Sequence, residues 1–390
     1  MQTQLADFIR DTPEGREADA ILRKCVHCGF CTATCPTYQV LGDDLDSPRG
    51  RIYLIKRALE GAPVTDKTRL HLDRCLTCRA CETTCPSGVQ YGRLVDIGRA
   101  VVEARTQRGP WDRLKRAVLA FGVPRRRLFG AALRLGQLVG RAPRTRPAAA
   151  WPAPRHARRM LALAGCVQPS LAPSINAAAA RVLDRLGISL VEVSGAGCCG
   201  AVRFHLNDQE AGRDDMRALI DAWSPIEAEA IVMTASGCGI NVKEYGHLLA
   251  GDVQYRAKAE RISALTRDLS EIVRPEDLPQ GKSRGRVAFH SPCTLQHGQQ
   301  IRGKVEALLT RVGYELVPVR DAHLCCGSAG AYSLLQPEIA NELRTRKLAA
   351  LEEGAPQAIA TANIGCLTHL QGPTATPVRH WIELIDEALA

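Results

Sequence analysis

The sequence CVHCGFCTATCP at residues 25–36 recurs as CLTCRACETTCP at residues 75–86. Both stretches have the spacing Cys-x2-Cys-x2-Cys-x3-Cys-Pro, which is typical of proteins that hold two [4Fe–4S] clusters. Three thiolates on a tight loop reach three corners of one cubane, and the proline after the fourth cysteine turns the chain away. The pattern therefore predicts an N-terminal ferredoxin-type module in which eight cysteines bind two [4Fe–4S] clusters.

The fourth cysteine of each run has a separate role, because with this spacing it ligates the cluster of the other run. We therefore assign the first cluster to Cys25, Cys28, Cys31 and Cys85. The second cluster is assigned to Cys75, Cys78, Cys81 and Cys35. The alternative of structural zinc requires two Cys-x2-Cys pairs well apart in the chain, which four cysteines so close together do not provide.

The composition agrees with redox chemistry in a reducing compartment. The chain has 390 residues and 16 cysteines, no apolar run of membrane-spanning length, and no apolar core near the N-terminus that would mark a secretory signal. A cytoplasmic location follows as the default expectation. In that setting clustered cysteines indicate metal or redox chemistry rather than structural disulfides.

The other eight cysteines belong to an internal repeat in the C-terminal half. The first copy has Cys166, Cys198, Cys199 and Cys238, and the second copy has Cys293, Cys325, Cys326 and Cys366. The offsets are 127, 127, 127 and 128 residues, and a Cys-Cys-Gly sequence occurs in each copy. Each copy has three short apolar strands that alternate with helical stretches, so we expect parallel sheet with each cysteine near the carboxyl end of a strand, where open α/β sheets place their sites.

Three interpretations of these eight cysteines are compatible with the sequence. They can bind one or more further iron–sulfur clusters or a smaller metal site, act as redox thiols, or simply fill the core as small apolar residues. Recurrence at matched positions favours a cofactor or thiol site. His297 and His369 flank the second-repeat cysteines and are the best candidates for hydrogen-bonding a cysteine ligand or relaying protons. A Gly-x-Gly-x-x-Gly sequence at residues 195–200 is explained better by tight turns than by dinucleotide binding.

The net charge of +10 is unevenly distributed. Residues 99–159 carry sixteen Arg and Lys against two acidic residues, about +14 in all. The segment contains two expected amphipathic helices at 111–121 and 128–139, followed by a linker rich in Pro, Ala and Arg. It can face an anionic membrane or a partner protein. Nucleic acid is not expected to bind, because few aromatic side chains are available for base stacking.

The chain resembles the iron–sulfur subunits of bacterial glycolate oxidase (glycolate dehydrogenase) over nearly all of its length. The stretches that carry the resemblance are the two cysteine runs, DSPRGRIYLIK, GAGCCGAV, HLCCGSAGAY, TANIGCLTHL and VRHWIEL. The wider family includes subunits of anaerobic glycerol-3-phosphate dehydrogenase, lactate-utilisation complexes and heterodisulfide reductase. Heterodisulfide-reductase-type sites continue the last cysteine as Cys-x-x-Cys, whereas here those positions are Asn241 and His369.

The resemblance implies a subunit that binds no substrate itself. A partner subunit with FAD would oxidise glycolate to glyoxylate, and this chain would relay the electrons toward a quinone-type acceptor, peripherally on the inner face of the plasma membrane. The alternatives within the family are a related lactate or glycerol-3-phosphate dehydrogenase, or a thiol-disulfide reductase like heterodisulfide reductase.

The expected fold is mixed α and β. A helical two-[4Fe–4S] module at 1–98 is followed by a basic connector and linker at 99–159. A duplicated α/β Cys-Cys-Gly domain with pseudo-twofold symmetry then occupies 160–282 and 283–390.

Overall fold

The computed structural model describes all 390 residues. The chain divides into two compact units, and each unit combines two segments that are separate in the sequence. The first unit comprises Met1–Lys115 and His323–Lys347, and the second comprises Arg116–Ala322 and Leu348–Ala390. The Cys-Cys-Gly segment of the second repeat therefore belongs to the same compact unit as the N-terminal module. The expected boundaries at 98, 159 and 282 stay predictions.

The N-terminal part of the first unit is helical. Its helices are α1 Asp7–Arg10, α2 Pro13–Lys24, α3 Phe30–Ala33, α4 Pro36–Leu41, α5 Pro48–Leu59, α6 Asp66–Asp73, α7 Ala80–Thr84 and α8 Tyr91–Glu103, with a 3-10 turn at Asp44–Asp46. Helices α2 and α5 each begin with a hydroxyl cap followed by a proline. The Oγ1 of Thr12 and the Oγ of Ser47 accept the backbone N–H groups three residues further along the chain.

Helices α5 and α8 pack closely in the core of the first unit. A Cβ at Gly98 would lie 2.5 Å from Cγ1 of Ile55, so the close approach requires glycine. Ile55, Leu59, Leu94 and Val95 are fully buried around this contact. The same apolar cluster includes three of the N-terminal cysteines, so the core directly supports the cysteine loops.

Two helices follow in the basic segment. Helix α9 spans Pro110–Gly122 and α10 spans Arg126–Leu138, which confirms the two amphipathic helices expected there. No residue of α9 is buried, and only Leu133 of α10 is. No helix of the chain combines the length and apolar character needed to cross a bilayer.

The first repeat forms a four-stranded sheet. Its strands are β1 Arg158–Ala162, β2 Ile188–Glu192, β3 Ala230–Met233 and β4 Thr266–Asp268, in the order β2-β1-β3-β4 with all pairs parallel. Its helices are α11 Gln168–Leu171, α12 Ser174–Arg185, α13 Ala201–His205, α14 Gln209–Trp223, α15 Ser236–Lys243, α16 Tyr245–Leu248, α17 Arg256–Leu265 and α18 Leu269–Ile272, followed by a 3-10 turn at Pro275–Asp277.

The second repeat has the same strand order. Strands β5 Arg286–His290, β6 Glu315–Val317, β7 Ala358–Thr361 and β8 Val378–His380 form a parallel sheet in the order β6-β5-β7-β8. A π-helical turn at Thr294–Gly298 and helices α19 Lys304–Arg311, α20 Tyr332–Leu335, α21 Pro337–Glu352, α22 Ile364–Gln371 and α23 Trp381–Leu389 complete it. The duplicated α/β architecture expected from the sequence is confirmed, although the fourth strand of each sheet was not expected.

The carboxyl edges of the two sheets meet inside the second unit. The N–H of Ser236 donates to the carbonyl of Ala362 at 3.1 Å, and the N–H of Gly237 donates to Oδ1 of Asn363 at 3.1 Å. Ser236 Oγ lies 2.8 Å from Oγ1 of Thr294. The helices that follow β3 and β7 therefore begin against each other, as a pseudo-twofold arrangement of two repeats requires.

Candidate iron–sulfur sites

The two N-terminal cysteine loops share an unusual backbone. His27 and Gly29 have positive φ in the first loop, as Thr77 and Arg79 do at the matching positions of the second. Left-handed residues at alternate positions aim successive N–H groups toward one side of a loop, which suits an anionic ligand. In the second loop the N–H of Thr77 lies 3.4 Å from Sγ of Cys75 and donates to it.

The first cavity is lined by the three leading cysteines of the first run together with Cys81 and Cys85 of the second run. Burial, and then the neighbouring thiols, raise the pKa of Cys31 to about 11. The pKa of Cys25 is also raised, first by burial, while the N–H of His27 acts against the shift. Cys28 is exposed, and Val26 and Phe30 beside it are 68% and 61% exposed, so this site opens to solvent.

The second set is enclosed. Burial raises the pKa of Cys81 well above that of an ordinary thiol, and the neighbouring Cys78, Cys75 and Cys35 raise it further. Tyr91 is buried and its hydroxyl donates to Sγ of Cys75 at 3.6 Å. The fourth cysteine of each run thus lies close to the cysteines of the other run, but the crossed ligand assignment itself stays a prediction.

The donor chemistry of both sets fits a [4Fe–4S] cluster. Four soft thiols with N–H or O–H donors aimed at sulfur are the groups that hold and tune such clusters. Thiols that raise one another's pKa do not ionise readily by themselves. Bound iron would supply the positive charge that keeps them ionised. When bound, the clusters supply one-electron redox chemistry, and the chain contributes position, burial and charge.

The four first-repeat cysteines come together at the carboxyl edge of their sheet. Cys166 follows β1, the Cys198–Cys199 pair follows β2, and Cys238 lies in the first turn of α15 after β3. Hydrogen bonds from the Cys166 and Cys199 thiols hold the pKa of Cys198 well below the usual value, and correspondingly raise that of their own groups. The N–H of Gly200 donates to Sγ of Cys198 at 3.4 Å.

Two polar side chains hold the Cys-Cys loop of the first repeat by hydrogen bonds. The carbonyl of Cys199 accepts hydrogen bonds from Nδ2 of Asn241 at 2.6 Å and from Oη of Tyr245 at 2.7 Å. Asn241 occupies the position where a fifth cysteine stands in heterodisulfide-reductase-type sites. Here it holds the loop, so the first repeat is a four-thiol site, with three thiols buried and Cys238 half-buried, that has the donor set of a metal–sulfur centre.

The second-repeat cysteines are divided between the two units. In the first unit, Cys325 and Cys326 are buried and the N–H of Gly327 donates to Sγ of Cys325 at 3.4 Å, as Gly200 does in the first repeat. Gly327 has a φ of +91°, and a Cβ there would lie 2.6 Å from the carbonyl oxygen of Ala340. Both Cys-Cys-Gly sequences therefore use glycine to bring a donor onto the first cysteine.

In the second unit, Cys293 immediately precedes the π-helical turn and Cys366 lies in α22, where Nδ2 of Asn363 is 3.7 Å from its sulfur. His297 is buried within the π-helical turn, and His369 lies on α22 three residues after Cys366. Single-turn π-helices are frequent at functional sites. The suggested roles of both histidines stay predictions.

Sequence reasoning missed a buried polar cluster beside the second cysteine set. Arg51 and Asp46 are 1% and 0% exposed and form an ion pair, and Arg99 is also buried. The available signal was that Arg51 shares a helical stripe with the apolar Ile55 and Ala58, where a charged residue is not expected.

Comparisons with known proteins agree with this organisation. The model of the family described as "4Fe-4S dicluster domain" matches residues 21–89, and that described as "Cysteine-rich domain" matches 160–243 and 287–371. The "Glycolate oxidase iron-sulfur subunit" of Escherichia coli (strain K12) is 55% identical, over 100% of this chain and 99% of that protein.

Relatives of lower sequence identity also match this chain. The "Probable glycolate oxidase iron-sulfur subunit" of Bacillus subtilis (strain 168) is 28% identical over 90% of this chain and 88% of its own. "Lactate utilization protein A" of Geobacillus kaustophilus is 28% identical over 54% of this chain and 92% of its own. A hypothetical protein from Helicobacter pylori matches with a TM-score of 0.55 at 8% identity, over 97% of this chain and 72% of that one, and shares the fold alone.

Proposed function

We propose an electron route for this chain, which belongs to the family of glycolate oxidase iron–sulfur subunits: it accepts electrons from an FAD-containing partner that oxidises glycolate to glyoxylate, and passes them toward a quinone-type acceptor. The observation that carries the proposal is the pair of four-thiol sets in the first unit, one open to solvent at Cys28 and one enclosed. An open cluster is the natural point of entry for electrons from a partner.

Glycolate is favoured over related substrates by the extent of similarity. The relative named for glycolate oxidase matches the whole chain at 55% identity, whereas the lactate-utilisation relative matches about half of it at 28%. A thiol-disulfide reductase is disfavoured because Cys198 and Cys199 are 6% and 3% exposed, which leaves a disulfide substrate little access.

The isolated chain should bind iron and sulfide but should not oxidise glycolate. We expect about eight irons with matching acid-labile sulfide from the N-terminal clusters alone, and more if the Cys-Cys-Gly sites also bind clusters. Dye reduction with glycolate should require added FAD-containing partner. Metal and sulfide analysis, paramagnetic spectroscopy and a dye assay with and without the partner measure this. Glycolate oxidation by the chain alone, or zinc without sulfide, would contradict the proposal.

We further propose that the basic segment rests on an anionic membrane surface. On α9 the exposed Trp111, Leu114, Val118 and Phe121 are spaced 3, 4 and 3 residues apart, which places them on one helical stripe. Helix α10 exposes Leu128, Leu135 and Leu138 in the same way. An exposed apolar stripe among many arginines is typical of helices that lie in the plane of a membrane interface.

Replacing Trp111 and Phe121 together with serine should weaken binding to vesicles that contain anionic lipid by tenfold or more, because two large apolar anchors are lost. Sedimentation with anionic and with neutral vesicles measures this, and added salt should release the wild-type chain because about 1 kcal/mol per basic residue is screened. Val253→Ser is the matched control, since Val253 is 90% exposed outside these helices. Equal binding of all variants would contradict a membrane role for this surface.

A further inference from the structure

We propose that the buried ion pair of Arg51 and Asp46 sets the reduction potential of the second cluster, the one assigned to Cys35, Cys75, Cys78 and Cys81. The inference rests on the proposed function only in requiring that this set holds a [4Fe–4S] cluster. Neither residue is a ligand, so the pair acts through charge.

Arg51 is fixed in place by hydrogen bonds on all sides. Its Nε donates to the carbonyl of His71 at 2.6 Å, its Nη1 to Oγ1 of Thr37 at 3.0 Å, and its Nη2 to Oδ1 of Asp46 at 3.2 Å. Nη1 also lies 4.0 Å from Sγ of Cys35. A guanidinium that is 1% exposed keeps its charge and cannot turn toward water.

The surroundings of the pair are positive overall. Arg74 binds the other carboxylate oxygen of Asp46 at 2.9 Å. Arg99 donates to the carbonyls of Leu72 and Cys75 at 2.8 and 2.7 Å. Two guanidinium groups, those of Arg51 and Arg74, therefore pair with the carboxylate of Asp46, and the Arg99 guanidinium adds a further positive charge at the carbonyl of Cys75. Two other carboxylates lie nearby: an oxygen of Asp43 is within 4.8 Å of the Asp46 carboxylate, and Glu82 is paired with Arg79 at 3.0 Å.

This charge has a defined effect on a cluster. One-electron reduction adds a negative charge to the cluster, and no bond or proton needs to change. Positive charge nearby stabilises the reduced form, and it does so more strongly where water is excluded. Arg51 should therefore raise the potential of the second cluster, and Asp46 should lower it.

The positive groups near the first set are differently placed. Arg49 is 35% exposed and pairs with Asp44 at 2.9 Å, and the terminal amine of Met1 donates to the carbonyl of Cys25 at 2.7 Å from a half-exposed position. Solvent screens charges of this kind. The two clusters are thus tuned by different means, and a change at Arg51 should affect only the second.

The experiment is a redox titration of the iron-loaded chain with mediators and a chemical reductant, in which paramagnetic spectroscopy follows each cluster. Arg51→Gln should lower the reduced-to-oxidised ratio of one cluster at fixed potential by at least tenfold, which is about 59 mV for one electron. Asp46→Asn should shift the same cluster in the opposite direction. Arg51→Lys should stay near the wild type, and the half-exposed control Arg49→Gln should leave that cluster unchanged.

Opposite shifts from the two variants cannot arise from a general loosening of the fold. Shifts of the same sign, equal shifts in both clusters, or no shift with iron retained would overturn the inference. Loss of one cluster's iron from every variant would show a purely structural pair and would also overturn it. Because no partner or glycolate is present, a failed electron route from an FAD-containing subunit leaves this result untouched.

Discussion

Replacing Cys85 and Cys28 together with alanine should remove one [4Fe–4S] cluster, whereas replacing Cys85 and Cys78 together should remove both. The reason is that Cys85 lines the cavity of the first run, as Cys81 does, and the spacing assigns Cys85, the fourth cysteine of the second run, to that cluster. In the crossed assignment, Cys85 and Cys28 are two ligands of the same cluster. Cys85 and Cys78 are ligands of different clusters, so replacing both removes one ligand from each. Alanine is used because serine can itself ligate iron.

The reciprocal variants provide the control. Cys35→Ala with Cys78→Ala should remove only the second cluster, and Cys35→Ala with Cys28→Ala should remove both. Iron and sulfide content, with the paramagnetic signals of the reduced chain, counts the clusters that remain. An uncrossed arrangement would reverse the pattern, so that Cys85 and Cys78 together would cost a single cluster. In either case, loss of one cluster should abolish electron transfer from glycolate, because the route is broken.

Much of this site could be predicted from the sequence because its geometry is local. Four cysteines at fixed short spacing define a loop, and the loops at residues 25–31 and 75–81 indeed share left-handed residues at matching positions. The repeat was also visible, since offsets of 127 and 128 residues relate all eight C-terminal cysteines. The arrangement of residues that are close in sequence, or related by duplication, can therefore be inferred from the sequence alone.

The parts that could not be predicted depend on distant packing. Strands β4 and β8 have three residues each with a charged residue at the centre, Arg267 and Arg379, so no apolar run marks them. The Cys-Cys-Gly segment of the second repeat joins the first unit through contacts that the sequence does not reveal. One of these is the Oη of Tyr332, which donates to the carbonyl of Arg74 at 3.0 Å. The position of Arg51 is of the same kind, since only the folded chain shows that a cation lies beside Cys35.

His380 makes the second unit sensitive to acid. It caps α23, where its Nδ1 accepts the N–H of Ile382 at 3.2 Å, and its Nε2 lies 2.8 Å from the carbonyl of Thr234. This pattern requires the neutral imidazole with the proton on Nε2, because a second proton on Nδ1 would oppose the cap. Burial lowers the pKa of His380 to about 4, and the attraction of Glu383 only partly offsets the shift.

The sign of the effect follows from the two states of the chain. The unfolded histidine binds a proton near pH 6.5, while the folded one resists until about pH 4, so stability falls as the pH is lowered between these values. His380 alone should contribute a loss of about 2 kcal/mol between pH 7 and pH 5, and about 3 kcal/mol in all. Asp215 in the same unit acts in the opposite direction, because burial raises its pKa to about 6 and its protonation favours the folded chain. Glu383 adds a further loss only at lower pH. Burial raises its pKa, but hydrogen bonds from Ser174 and from the His380 N–H outweigh this and lower it.

The measurement is urea unfolding followed by tryptophan fluorescence, because Trp223 and Trp381 are both buried in the second unit. His380→Asn keeps a side chain that can cap α23 but cannot titrate, so it should be less stable than the wild type at pH 7 by about 1 kcal/mol. Between pH 7 and pH 5 its change in stability should differ from that of the wild type by about 2 kcal/mol, the contribution of His380. His247→Asn, at a half-exposed position of the same unit, is the matched control and should retain the wild-type slope. Cluster absorbance recorded in parallel separates acid release of iron from unfolding. If His380→Asn instead kept the full wild-type slope, the acid sensitivity would come from other groups, and the imidazole between β3 and α23 would be only a structural cap.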